Sequence, residues 1–151
     1  MAETTTAPST PPSAQADVAK RQWAWVEKLL ARPPAVSTGT LAIPGGTLDY
    51  SVSAAFMPVA ASGLDGASAD PDAAILTTAY LLKGALPATR PVCFAFNGGP
   101  GSASIWLHLG ALGPKRVVVP DDGSMPLPPY TVLDNPHSWL HFTDLVFIDP
   151  V

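Results

Sequence analysis

The sequence has 151 residues, of which 47% are hydrophobic and only 13% are charged. This length allows one domain with a buried core, and the composition is more apolar than that of an average globular domain. The net charge of -4 and the absence of any Lys/Arg cluster exclude an electrostatic surface for nucleic acid. The longest apolar runs are shorter than the roughly 18 residues that a membrane span needs.

The single cysteine, Cys93, excludes an internal disulfide and a cysteine-based zinc site. It lies in an apolar run, where a small buried core residue is a better interpretation than a nucleophile. The segment Asp121-Asp122-Gly123-Ser124 offers oxygen atoms to a calcium ion, but an ordinary turn is the favoured interpretation. The sequence gives no signal for a cofactor or a metal.

The N-terminal part divides at about residue 16. Residues 1–16 are rich in Thr, Ser, Ala and Pro, which predicts a disordered tail. They contain neither a basic region nor an apolar stretch, so no signal peptide is indicated and the compartment stays unassigned. Residues 17–32 predict an amphipathic helix with Val18, Trp25 and Leu29 on one face, ended by two prolines. We interpret it as a docking helix that packs Trp25 on a neighbouring surface, with a membrane or partner helix as the alternative.

The rest of the chain alternates strand-like and helix-like patterns. Residues 47–53 alternate apolar and polar side chains after a turn at Pro44-Gly45-Gly46, and residues 74–83 predict a second strand beyond a polar loop at 62–72. The apolar runs 92–96 and 145–148 are typical of strands buried on both faces. Residues 102–112 predict a helix with Ile105, Leu109 and Leu112 on its core face.

This order of elements predicts an α/β protein with a mixed or parallel sheet, because strands that flank a crossover helix usually pair in parallel. Such a sheet rarely stops at its second parallel strand. The edge beyond Ile148 would be open and apolar, so the fold is expected to be incomplete.

The turn Asn97-Gly98-Gly99-Pro100-Gly101 follows the run 92–96 directly and precedes the predicted helix. Backbone N–H groups at such a turn favour negative charge. A nucleotide phosphate is disfavoured, because neither the P-loop pattern nor the dinucleotide pattern is complete. Two interpretations stay open: a loop that donates N–H groups to an oxyanion, as in α/β-hydrolases, and a plain tight turn. Pro100 removes one donor and stiffens the loop.

The segment from Asn97 to Ser104 closely resembles the signature of serine carboxypeptidases, peptidase family S10. Further likenesses follow in the same order, at Trp106-Leu107, Leu112-Gly113-Pro114, Asn135-Pro136-His137-Ser138-Trp139 and the final residues from Asp144 to Val151. The resemblance covers roughly residues 48–151 and looks most like the bacterial branch. It implies the N-terminal part of an α/β-hydrolase fold over residues 40–151, and a serine-type carboxypeptidase that releases C-terminal residues from peptides.

The resemblance also implies a role for each residue of the loop. Asn97 and Gly98 match the residues that bind the free C-terminal carboxylate of the peptide, and Gly99 matches the oxyanion-hole donor. Pro100, Gly101 and Ser102 would support the loop. The family's usual Trp is Ala95 here, which puts the shape of the carboxylate pocket in doubt. Ser102 replaces a disulfide cysteine of the secreted members.

The catalytic triad of the family is not found in this sequence. No Gly-x-Ser-x-Gly elbow occurs, so the chain is expected to stop before the nucleophile and to be inactive alone. His108, His137 and His141 are expected to have structural or supporting roles, and Asp149 to order a loop. The alternatives are an inactive remnant that at most binds a peptide or a partner, and an acyltransferase of the same family. The oligomeric state is not indicated.

Overall fold

The computed structural model describes residues 12–60, 71–98 and 101–150, with only the backbone for residues 12–15. Its strands are β1 Ala35–Ile43, β2 Gly46–Val59, β3 Ala73–Leu82, β4 Val92–Ala95, β5 Lys115–Val117, β6 Val132–Asp134 and β7 Asp144–Asp149. Five of them form one sheet in the order β1-β2-β3-β7-β4, while β5 and β6 form a separate antiparallel pair.

The large sheet is mixed. Its first three strands and β7 pair antiparallel, whereas β4 and β7 pair in parallel. Pro44 and Gly45 make the turn of the β1–β2 hairpin, in which Ile43 pairs with Gly46. This confirms the prediction of an α/β fold with a mixed sheet. The strand β1 was not predicted, because its Ala, Ser, Thr and Gly residues lack the strong apolar alternation of β2.

The position of the two apolar strands corrects two predictions. The strand β7 lies between β3 and β4, so the edge beyond Ile148 is paired rather than open. The strand β4 is at the end of the sheet order and is not buried on both faces, since Val92 is 48% and Phe94 is 62% exposed. Apolar composition alone does not separate a central strand from an edge strand, because both positions accept such residues.

The N-terminal helix α1 extends over Pro12–Leu30 and lies against β2 and β3. It begins within the segment that composition assigned to the tail, and residues 1–11 of that tail lie outside the described part of the chain. Trp25 is 60% exposed and receives the Lys28 ammonium over its ring, at 5.4 Å from the centroid. The helix therefore packs on the sheet mainly through residues other than Trp25.

The predicted helix 102–112 is shorter and less regular than expected. An α-helical turn, α2, covers Ile105–Leu107, and a π-helical turn follows over His108–Leu112. The Gly113 N–H donates to the His108 carbonyl at 3.0 Å, a bond that spans five residues. His108 stacks on the buried Phe147, whereas Ile105 is 46% exposed, so the prediction that Ile105 lies on the core face is wrong.

The carbonyl groups at the end of this helical segment are satisfied by the loop 135–138. The Asn135 side-chain amide donates to the carbonyls of Ala111 and Gly113 at 2.8 and 2.9 Å, and the Ser138 hydroxyl donates to Leu112 at 2.7 Å. Both side chains are buried. Helix ends need such partners because their last carbonyls have none within the helix.

The core lies between the helical segment and the sheet. Its buried members are Leu41, Tyr50, Tyr80, Ala95, Leu140, Leu145 and Phe147. Cys93 packs against this cluster and is half-buried, which agrees with a core role for the cysteine. The core therefore supports β7 and the end of β4, from which the glycine-rich loop leaves the sheet.

Candidate functional site

The glycine-rich loop lies at the carboxyl end of the parallel pair β4 and β7. It leaves β4 at Ala95 and reaches α2 at Ile105, while Asp149 is the last residue of β7. Parallel strands bring their carboxyl ends to the same edge of a sheet, and this is where ligand sites of α/β proteins form. The loop and Asp149, predicted separately from the sequence, are thus neighbours.

Two hydrogen bonds join the beginning and the end of this loop. The Asn97 N–H donates to the Ser104 hydroxyl oxygen at 3.3 Å, and the Asn97 side-chain amide donates to the Ala103 carbonyl at 2.9 Å. The second bond uses one of the two protons on Nδ2 and leaves the other for a further acceptor. Asn97 is half-buried and Gly98 is exposed, so both lie within reach of solvent.

The end of the loop is attached to β7. The Ser104 N–H donates to Asp149 Oδ1 at 2.7 Å, and the Ser104 hydroxyl donates to the Ile148 carbonyl. Ser104 is only 1% exposed. Asp149 therefore orders the loop, as the sequence predicted, through a hydrogen bond to a charged acceptor.

The remaining loop residues are placed only in part. Gly101 has φ +74°, a backbone conformation that favours glycine, and Ser102 is half-buried. Gly99 and Pro100 lie outside the described residues. The oxyanion role of Gly99 and the stiffening role of Pro100 accordingly stay predictions.

His108 belongs to an aromatic cluster beneath the helical segment. Its ring stacks on Phe147 with centroids 4.4 Å apart and planes 17° from parallel, and its Nε2 shares a hydrogen bond with the Tyr80 hydroxyl at 2.7 Å. Burial lowers the pKa of His108, against the opposing attraction of Asp149. Burial also raises the pKa of Tyr80 to about 12, with a smaller contribution from Tyr50. The pair is therefore neutral at pH 7 and suits a structural role better than a catalytic one.

The other two histidines are exposed and lie in the loop region before β7. The His137 N–H donates to Asn135 Oδ1 at 3.2 Å, and the His141 ring contacts Phe142 edge-on. No serine with a nucleophile elbow accompanies them in the sequence. Their positions agree with the structural roles expected for them.

An ion pair that the sequence did not predict lies at the opposite end of β7. Arg90 Nε donates to Asp144 Oδ1 at 2.7 Å, and the Leu82 N–H donates to the same oxygen at 3.0 Å. The Arg90 guanidinium also reaches the Leu140 carbonyl. The signal in the sequence is weak, since 54 residues separate the two partners.

A surface pocket of about 480 Å³ lies beside α2. It is lined by Ile105, Trp106, Leu109, Gly110, Arg116, Val117 and Val119. Arg116 is the only charged residue of this lining, and Trp106 is 76% exposed. The surface next to the loop is thus apolar with one positive charge.

Within residues 12–60, 71–98 and 101–150, no helix is long and apolar enough to cross a membrane. The candidate calcium segment forms a turn, in which the Ser124 N–H donates to Asp122 Oδ1 at 2.9 Å and lowers the pKa of that carboxyl. The turn interpretation of this segment is the one that the geometry supports.

Comparison with known proteins agrees with the resemblance. The family model described as serine carboxypeptidase matches residues 80–151, which include β4, the glycine-rich loop and β7. The match begins at Tyr80, so the likeness expected for residues 48–79 lies outside it, and the assignment to the bacterial branch stays a prediction. No curated protein matches the chain. Residues 80–151, somewhat less than half of the chain, therefore match the serine carboxypeptidase family.

Proposed function

We propose that Asn97 and Gly98 of this chain bind the C-terminal carboxylate of the peptide substrate of a serine-type carboxypeptidase. We call these two residues the carboxylate grip. In that reaction a serine attacks the last peptide bond, the C-terminal residue leaves, and water hydrolyses the acyl-enzyme. The nucleophile and its base have no counterpart in this sequence, so the chain alone is expected to bind a peptide C-terminus without cleaving it.

The observation that carries this proposal is the geometry of Asn97. Its side chain is held by the bond from Nδ2 to the Ala103 carbonyl, at the carboxyl end of the parallel strand pair. The second Nδ2 proton and the N–H of the exposed Gly98 are the donors that we assign to the substrate carboxylate. Hydrogen bonds to a charged acceptor are roughly twice as strong as neutral ones, so two such donors can select a carboxylate without a positive charge.

The developing oxyanion would lie one residue further along the loop. We assign its donor to the Gly99 N–H, on the resemblance alone. Backbone donors of this kind stabilise the tetrahedral intermediate because they are fixed before charge develops. The carboxylate grip and the oxyanion donor would then be consecutive, which fixes the register of the scissile bond.

The test compares an acid with its amide. The ¹⁵N-labelled chain is titrated with N-acetyl-Phe-Phe and, as a matched ligand, with the same dipeptide bearing a C-terminal amide. We expect the Asn97 and Gly98 resonances to move with the acid and hardly at all with the amide. The isosteric variant Asn97→Asp should lose the acid response, because a carboxylate replaces the donors and repels the ligand.

Equal affinity for the acid and the amide would remove the assigned role. Release of free phenylalanine by the chain alone would contradict its expected inactivity. In a complete enzyme that includes this segment, Asn97→Ala should raise KM for free-carboxylate peptides far more than for C-terminal amides or esters.

A further inference from the structure

We propose that Asp149 and Ser104 are positioning residues for the carboxylate grip, acting on substrate only through Asn97. This inference rests on the proposed function for its effect on binding, but its structural part can be measured independently. Neither residue belongs to the set of donors assigned to the substrate. Their contribution is to hold the beginning of the loop in the shape that Asn97 needs.

The Ser104 hydroxyl is the centre of the arrangement. A hydroxyl has one proton and two lone pairs, and here the proton goes to the Ile148 carbonyl while one lone pair accepts the Asn97 N–H. These two hydrogen bonds therefore fix both the position of the hydroxyl oxygen and the orientation of its O–H bond. A side chain that is 1% exposed has no water to replace either partner.

Asp149 fixes the backbone of the same residue. Its Oδ1 accepts the Ser104 N–H at 2.7 Å, within the short range expected for a charged acceptor. Asp149 ends β7, which is paired on one side with β3 and on the other with β4. Because β7 is hydrogen-bonded to a strand on each side, its position in the sheet is fixed. The bond from Ser104 to Asp149 therefore fixes the end of the loop relative to the middle of the sheet.

Among the hydrogen bonds made by the Ser104 hydroxyl and N–H, the one from the Asn97 N–H is the weakest, and Asn97 is the residue that we assign to the substrate. The Asn97 N–H lies 3.3 Å from the Ser104 oxygen, just beyond the usual range for N–H···O bonds. A small shift of Ser104 would break it and free the Asn97 backbone. The effect of Asp149 on binding should therefore exceed its effect on the stability of the fold.

The test uses the full chain with graded variants. Asp149→Asn keeps a neutral acceptor, whereas Asp149→Ala and Ser104→Ala remove the acceptor and the hydroxyl. We expect the dissociation constant for N-acetyl-Phe-Phe to rise by about two- to fivefold for Asp149→Asn and by about ten- to thirtyfold for each alanine variant. Ser104→Thr keeps the hydroxyl and should restore most of the affinity. Asp134→Asn, an exposed carboxylate away from the loop, serves as the control.

A spectroscopic readout separates positioning from mere support of the fold. The Ser104 amide proton donates to a carboxylate and should resonate downfield, moving upfield in Asp149→Ala. The Asn97 amide should move in both alanine variants while the resonances of β2 and β3 stay in place. In the unmodified chain, a scalar coupling between Ser104 ¹⁵N and Asp149 ¹³Cγ should report the bond even if a variant fails to fold.

The outcomes are distinct. Wild-type affinity in Asp149→Ala, together with a displaced Ser104 resonance, would overturn the proposal. An unmoved Asn97 resonance in Ser104→Ala, or no coupling in the unmodified chain, would do so as well. If the acid and the amide bind alike while these resonances behave as expected, the proposed function fails and the positioning geometry stands.

Discussion

The buried ion pair between Arg90 and Asp144 supplies the sharpest prediction on stability. The two side chains are only 11% and 13% exposed, and Asp144 Oδ1 accepts both Arg90 Nε and the Leu82 N–H. The substitution Asp144→Ala removes this shared acceptor. It leaves a guanidinium and a backbone N–H without their partner at the junction of β3, β4 and β7.

The expected cost follows from these contacts. Removing one partner of a buried pair costs about 3–5 kcal/mol, because the remaining charge is uncompensated. The Leu82 N–H also loses its acceptor in this variant, and the cost of that lost hydrogen bond is included in the same range. A domain of this size has a total unfolding free energy of about 5–15 kcal/mol, so Asp144→Ala should remove a large share of it.

The chain contains a matched control. Lys115 and Asp134 form an ion pair whose side chains are 44% and 45% exposed. Exposed pairs contribute about 0.2–1 kcal/mol, so Asp134→Ala should be nearly neutral. The double variant Arg90→Met with Asp144→Ala should recover part of the loss, because no charge is then left buried.

The assay is urea unfolding of each variant, followed by circular dichroism at constant pH and salt. The free energy of unfolding and its dependence on urea are compared, since a change in the slope would report a change in the denatured state. If Asp144→Ala costs no more than Asp134→Ala, the buried pair does not stabilise the fold as reasoned.

Three further predictions concern pH, packing and the sheet edge. Because burial lowers the pKa of His108 below its ordinary 6.5, stability is full above that pH and falls as the pH drops through it; His108→Gln should flatten a urea-midpoint profile between pH 7 and 5. A profile unchanged by the substitution would contradict this. Gly39→Ala would place a Cβ 2.5 Å from the Tyr50 hydroxyl and should cost about 1–3 kcal/mol, whereas Gly46→Ala has open space and should be tolerated in the same unfolding assay. Phe94→Lys on the exposed edge strand should lower self-association in sedimentation velocity, and equal association would show that this face is not involved.

Local patterns in the sequence predicted both the alternating strand β2 and the strands β4 and β7, which are apolar runs. The turn at Pro44 and Gly45 and the strands β2, β3 and β7 lie within a few residues of their expected positions, apart from a longer β2. The strand β1 was missed because small and hydroxyl residues carry little periodic signal. The segment before Gly113 was predicted as a regular helix, because a π turn has no recognisable signature in the spacing of apolar residues.

The candidate site was likewise predicted only where its residues are contiguous in the sequence. The residues of the loop from Asn97 to Ser104 are contiguous, so their order alone carried the family resemblance that the match over residues 80–151 confirms. The partners of Ser104 are distant in sequence, and no pattern joins it to Asp149, 45 residues away. The contact between His108 and Tyr80 could not be predicted from the sequence for the same reason.

The sequence by itself determined the class of fold, the glycine-rich loop and its family, because these depend on neighbours along the chain. Only the tertiary structure decided that β7 lies between β3 and β4, and that Phe94 is therefore exposed at the sheet edge. The pairing of Arg90 with Asp144 and of Ser104 with Asp149 was decided there as well. Strand order and side-chain partners arise from burial and hydrogen bonding among distant residues, which no local pattern encodes.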